Sequence, residues 1–181
     1  ARSPFRINQF GGSLGGPIKK DKAFFFLSYD GQRRKIPNDV ILTIPSNLPN
    51  DPDTQAGLAT LKSKADSYQL ARDQDVFLAK LDYQINQKTR LTVRYNHQNF
   101  TGVNNENSGV TNSLEHTGDS LVKTRTANLS LASVFSATFF NEFRVQYARD
   151  SEPGLANSAN PEATVRQGGA TILVIGRNNF S

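Results

Sequence analysis

The chain has 181 residues, enough for one domain with a sizeable core. Yet it is only 36% hydrophobic, its mean hydropathy is −0.51, and no run approaches the roughly 18 apolar residues of a membrane helix, so a helical membrane protein is excluded. A net charge of +5 would admit an anionic partner, but Arg33, Arg34 and Lys35 are the only tight basic cluster, which argues against nucleic acid.

Zero Cys removes disulfides and thiolate metal sites. The chain has no Met, and Ala1-Arg2-Ser3-Pro4 has neither the basic start nor the apolar middle of a signal peptide, so a parent longer than this sequence is expected.

The first element is Asn8-Gln9-Phe10-Gly11-Gly12-Ser13-Leu14-Gly15-Gly16-Pro17-Ile18, followed through Lys19-Lys20-Asp21-Lys22 by Ala23-Phe24-Phe25-Phe26-Leu27-Ser28-Tyr29-Asp30-Gly31. It reads as two extended segments around a charged turn, a hairpin over about residues 5–35. The aromatic density suits a strand at a membrane interface. Residues 36–73 read as a long loop, its first half kept irregular by Pro37, Pro45, Pro49 and Pro52. Within it Thr54 is expected to cap a short helix carrying Leu58, Leu61, Ala65 and Tyr68, while Asp51 and Asp53 around Pro52 resemble a turn.

From Val76 the sequence alternates with period two, sending successive side chains to opposite faces of a strand. Phe77, Ala79, Leu81, Tyr83 and Ile85 fall on one side; Lys80, Asp82 and Gln84 fall on the other. After turn chemistry at Asn86-Gln87-Lys88-Thr89, Leu91, Val93 and Tyr95 alternate with Arg90, Thr92, Arg94, Asn96 and Gln98, closing a hairpin over about 74–100. A polar loop at about 101–121 offers nothing for a core. A third hairpin, about 122–150, carries Ala127, Leu129, Leu131 and Phe135, a short turn near Ser136-Ala137-Thr138, then Phe143, Val145 and Tyr147 alternating with Glu142, Arg144 and Gln146. A third loop, about 150–170, leads to the apolar run Thr171–Ile175, a further strand, and the sequence ends at Asn178-Asn179-Phe180-Ser181 without a capping pattern.

Short turns alternate with long loops. Antiparallel up-and-down strands with one apolar and one polar face match an all-β transmembrane barrel, of which this chain would supply about six or seven strands. The lipid-facing candidates are Phe77, Leu81, Tyr83, Val93, Tyr95, Phe143 and Tyr147. The lumen-facing candidates are Lys80, Asp82, Arg90, Arg94, Glu142 and Arg144, with opposite charges expected to pair between neighbouring strands. The competing architecture is a soluble β-sandwich, an adhesion or carbohydrate- or protein-binding module, which would bury the same apolar residues against a second sheet.

The glycine-rich arm with Lys20-Asp21-Lys22 and Phe24-Phe25-Phe26 resembles the first barrel hairpin of TonB-dependent outer-membrane receptors, in particular the Oar-like subgroup with an N-terminal carboxypeptidase-regulatory-like domain. Residues from Arg72-Asp73-Gln74-Asp75-Val76-Phe77 to Gln84, with Arg94-Tyr95-Asn96, and the stretch Asn141-Glu142-Phe143-Arg144-Val145-Gln146-Tyr147 are similar to the same family. The resemblance implies a barrel of about 22 strands in the bacterial outer membrane. It also implies a plug domain and a segment contacting a TonB-type energy-transducing protein, both outside this sequence, with short turns facing the periplasm and long loops taking part in uptake of an unidentified nutrient.

The remaining motifs have plainer readings. Pro17 after Gly16 breaks any P-loop, so Gly11, Gly12, Gly15 and Gly16 read as small residues of a barrel strand, packing beside the phenylalanine strand or a plug. His97 reads as an interface residue and His116 as a solvated loop residue, neither part of a metal set. Asp73 and Asp75 read as a solvated or lumen-lining pair at a strand entrance. No triad, nucleophile elbow or cofactor motif is present, so no enzyme activity, cofactor or metal is expected.

Overall fold

The computed structural model describes residues 5–178; Ala1–Pro4 and Asn179–Ser181, on which the readings of the two chain ends fell, lie outside the described residues. Six long antiparallel strands form one meander: β1 (Arg6–Lys19), β2 (Ala23–Asn38), β3 (Tyr68–Asn86), β4 (Thr89–Glu106), β5 (Gly118–Ser136) and β6 (Phe139–Ser151). Each pairs with its neighbour in sequence, and the sheet is open, with β1 and β6 as its edges. It is all-β and up-and-down, as expected.

The three tight turns share one end of the sheet. Residues 20–22 carry the first, with Asp21 in the left-handed region at φ 59°, the geometry of a three-residue hairpin loop. Residues 87–88 and 137–138 carry the other two. Each hairpin has a register irregularity beside its turn, at Pro17/Lys19, Gln84/Asn86 and Val134/Ser136, which is where bulges strengthen local twist.

The strands outrun their sequence boundaries at the opposite end. β3 begins at Tyr68 and β4 reaches Glu106 because pairing continues where apolar and polar residues no longer alternate regularly enough to mark a strand, although Tyr68 and Leu70 are themselves buried. Pro37 lies inside β2, opposite Gln69, rather than in irregular chain. Pairing of β1 with β2 stops at Lys35, so no β1 residue waits for an N–H from Pro37. After β6, a break at Glu152–Pro153 leads into β7 (Gly154–Ala156), which continues along the same edge of β5.

Helix α1 (Pro52–Lys64) is capped by Asp51, not Thr54: the Thr54 amide and hydroxyl donate to its carboxylate at 2.9 and 2.6 Å. The Asp51-Pro52-Asp53 stretch is therefore a helix start, with Pro at the first helical position where no N–H is missed. Ala65 ends the helix, and Tyr68 already belongs to β3. The helix buries no residue, so its cap matters more than its packing.

Those hydrogen bonds hold the Asp51 carboxyl below its ordinary 3.8, the Thr54 hydroxyl contributing most. A depressed folded-state value means that the cap's contribution is present above the unfolded value and is lost as pH falls through the folded one. Asp51→Ala at neutral pH, and acidification below about 4 in the parent, should each lower the protection factors of the amides at residues 54–56, the exchange rates being taken relative to unstructured chain at the same pH. Protection factors unchanged by either treatment would show that the cap does not hold the helix.

Candidate functional site

Register sorts the side chains into two faces. On one, Phe25–Leu81–Val93–Leu129–Val145 form a row across β2 to β6, flanked by Leu27–Ala79–Tyr95–Ala127–Tyr147 and Ala23–Tyr83–Leu91–Leu131–Phe143. All seven lipid-facing candidates lie on this face. Phe77, Leu81, Val93 and Tyr95 are 37–38% exposed, Phe143 58% and Tyr147 65%, while Tyr83 is half-buried under the Lys22 ammonium, 5.6 Å from its ring centroid. Among the described residues no second sheet covers them, which overturns the sandwich alternative.

At the long-loop end of this face Arg33 donates to Asp75 at 2.8 Å, and the Tyr29 hydroxyl donates to the same carboxylate oxygen at 2.5 Å. The Phe10 ring lies 5.5 Å from the Arg33 guanidinium and occupies the space a side chain at Gly31 would need: a Cβ there would sit 2.8 Å from the ring. Aromatic cover of a strand glycine is a recognised way of pinning register. Asp73 and Asp75 thus lie within β3, on the face of Phe77 rather than in a lumen lining. Sequence reading missed this network because register, not spacing, brings Arg33 to Asp75.

The opposite face is polar. Lys80 and Asp82 on β3, Arg90 and Arg94 on β4, and Glu142 and Arg144 on β6 all lie on it, with β5 separating the last two from the rest. The ion pairs run along strands rather than between them: Lys80–Asp82 at 2.8 Å and Arg144–Glu142 at 2.6 Å. Across strands it is hydroxyls that satisfy the acids, Thr92 donating to Asp82 at 2.7 Å and Ser130 to Glu142 at 2.8 Å. Lys80 faces Arg94 directly, so the expected cross-strand charge pairing is not what forms. Phe24 and Phe26 point to this face too, opposite Asp82 and Lys80, and the Phe26 ring lies 3.1 Å from where a Cβ of Gly15 would be. The glycine arm packs against the phenylalanine strand as expected.

The long connections fold together instead of hanging free. β8 (Ala163–Gln167) and β9 (Ala170–Ile175) form a hairpin turned by Gly168 and Gly169, both at positive φ. The apolar run is thus a loop strand outside the main sheet. β9 docks on the 107–117 loop: Ser113 N–H donates to Val174 at 2.9 Å and Val174 N–H to Thr111 at 2.8 Å. That loop is tied in turn to the first, Ile41 N–H donating to Val110 at 2.7 Å, with an ion pair from Lys64 of α1 to Glu115. The Asn157 side chain donates to Asn104 at 2.7 Å and to Thr117 at 2.8 Å.

This assembly has a small core. Leu173 and Thr117 are fully buried, as is nearly all of Ser113, and His116 is 8% exposed beside Glu162, its Nδ1 4.0 Å from the carboxylate. His116 is therefore not solvated; a loop poor in apolar residues can still be buried when another loop covers it. Burial pushes the Tyr68 phenol up, and its oxygen accepts from Gly109 N–H at 3.3 Å. His97 lies on the apolar face, opposite Phe77 and Arg125.

A family model described as "outer membrane beta barrel domain" matches residues 1–64 and 47–180. The chain belongs to that family. No curated protein and no solved structure matches it. Membership places this outer membrane β-barrel domain in the bacterial outer membrane, in contact with lipid. Its up-and-down antiparallel meander, one apolar face and one-ended long loops are features of such a barrel wall.

Proposed function

We propose that the chain is a section of the wall of a TonB-dependent receptor, turning its apolar face to lipid and its polar face to the lumen, and that its long loops recognise a nutrient outside the cell. The observation that carries the reading is one-ended asymmetry. The tight turns that join the six long strands all lie at one end, and at the other the long connections interlock into a structured cap around Leu173, Ser113 and Thr117. Structured loops on a rigid scaffold usually carry recognition. The glycine–phenylalanine hairpin, with its resemblance to the first barrel hairpin of these receptors, adds the family assignment.

The lipid assignment has support in the height of the polar boundary. On the apolar face, the innermost polar residue, the last met before the apolar band on the way in from the loop end, is Asn8 on β1, Arg33 on β2, Asp75 on β3, His97 on β4, Arg125 on β5 and Arg149 on β6. By register this boundary drops two rows from β1 to β6. Two rows are four residues, roughly 13 Å along a strand, against about 24 Å across five strand spacings. A level water–lipid boundary then needs strands tilted by about 30°, close to the roughly 35–45° of transmembrane barrels.

The polar face, with its ion pairs closed along each strand, suits wall stabilisation and contact with a plug more than catalysis, and no catalytic role is assigned to it. The test uses the full-length parent as the sole receptor in cells supplied with metal chelates, vitamins, glycans or peptides. Growth on one of these should disappear when the energy-transducing protein is deleted. Uptake that persists without that protein would mark an open pore and sink the reading.

A further inference from the structure

The outward rim of the sheet is electrically uneven. On the β2–β3 side Arg33 is neutralised by Asp75, and a register pair of exposed cations, Arg6 opposite Lys35, lies one row further out on β1 and β2. On the β5–β6 side a shallow depression is lined by Lys123, Arg125, Arg149 and Ser151. They form two register pairs, Arg125 opposite Arg149 and Lys123 opposite Ser151, with His97 next in the arginine row. Lys123, Arg125 and Arg149 are exposed, and none has an acidic partner among the described residues. Like charges directly opposite on paired strands are destabilising, so this arrangement is costly unless an anion sits between them.

Its position says which anion. The next row towards the sheet centre is Tyr95–Ala127–Tyr147, and the wholly apolar row follows. Tyrosines above an apolar band lie at headgroup level in membrane barrels. Directly opposite residues stand about 5 Å apart at Cβ, a spacing over which one phosphate can accept from two guanidinium groups.

We propose that Lys123, Arg125, Arg149 and Ser151 form a site for the phosphate groups of lipid headgroups in the leaflet beside the long loops. The proposal rests on the reading that the apolar face meets lipid. The cations hold the phosphate from two strands, the Ser151 hydroxyl donates to it, and Tyr147 and Tyr95 pack below against the start of the acyl region.

The test places the full-length parent in phosphatidylcholine nanodiscs doped with bisphosphorylated lipid A or with its dephosphorylated counterpart, and measures retained glycolipid by native mass spectrometry. The wild type should prefer the phosphorylated form. Combined Lys123→Gln, Arg125→Gln and Arg149→Gln should lower that preference roughly 100-fold, and Arg125→Gln alone about fivefold. Undiminished retention by the variants, or equal retention of the phosphate-free lipid, overturns the site. Displacement of the lipid by inorganic phosphate overturns the lipid source. Protease protection of the inserted barrel is followed in parallel: a wild type that does not insert brings down the lipid-facing reading with the site, whereas inserted variants that keep the lipid bring down the site alone.

Discussion

Leu81→Arg is expected to destabilise the inserted barrel by about 2–4 kcal/mol, and Val93→Arg by a similar amount. The two residues are register partners in the middle apolar row, between Phe25 and Leu129. At 38% and 37% exposure they have no second protein layer to shelter a charge, and every neighbour in that row is aliphatic or aromatic. The guanidinium would have to snorkel past Ala79 or Tyr83 along β3 to reach water. Leu78→Arg supplies the contrast, since Leu78 lies on the polar face between Ser28 and Asn96 and should cost under about 1 kcal/mol. Urea midpoints of the full-length parent refolded into vesicles measure both. Equal losses from Leu81 and Leu78 would mean that the apolar face does not meet lipid.

The two faces were legible because period-two alternation needs only residue type: each lipid-facing candidate from Phe77 to Tyr147 falls on the face its parity gave it. Turns were legible too, since Lys20-Asp21-Lys22, Asn86-Gln87-Lys88-Thr89 and Ser136-Ala137-Thr138 carry turn chemistry in the chain itself. Strand ends were not. Beyond the lipid-height band, as at Tyr68–Asp73 and Thr101–Glu106, neither face needs to be apolar, and pairing continues without leaving a pattern. Partners between elements were equally hidden. Which acid meets Arg33, and whether Asp82 is satisfied by Lys80 or by Arg94, depend on register, and register follows from turn geometry and bulges that no spacing rule encodes.

Least legible of all was the loop assembly, where fully buried Leu173 sits among polar chain. Leu173→Ala should therefore have a large effect confined to that end. Leu173 is fully buried, and truncating such a side chain costs about 2–5 kcal/mol in lost burial and residual cavity. The long-range hydrogen bonds of the assembly close directly beside it, from Ser113 N–H to Val174 and from Val174 N–H to Thr111. Their amides should exchange roughly 30-fold faster or more in the variant, following local opening rather than global unfolding. Hydrogen bonds that tie the long strands to this assembly fall at Tyr68 and Asn104, beyond the lipid-height rows, so insertion and urea midpoint should stay as in the parent. Leu155, 55% exposed on β7, is the matched control, and its truncation should leave both amides protected. If Leu173→Ala also leaves them protected, the cap is held by its backbone bonds alone. If it lowers the urea midpoint as well, loop assembly and barrel wall form one cooperative unit, and the loops cannot rearrange around a ligand independently of the wall.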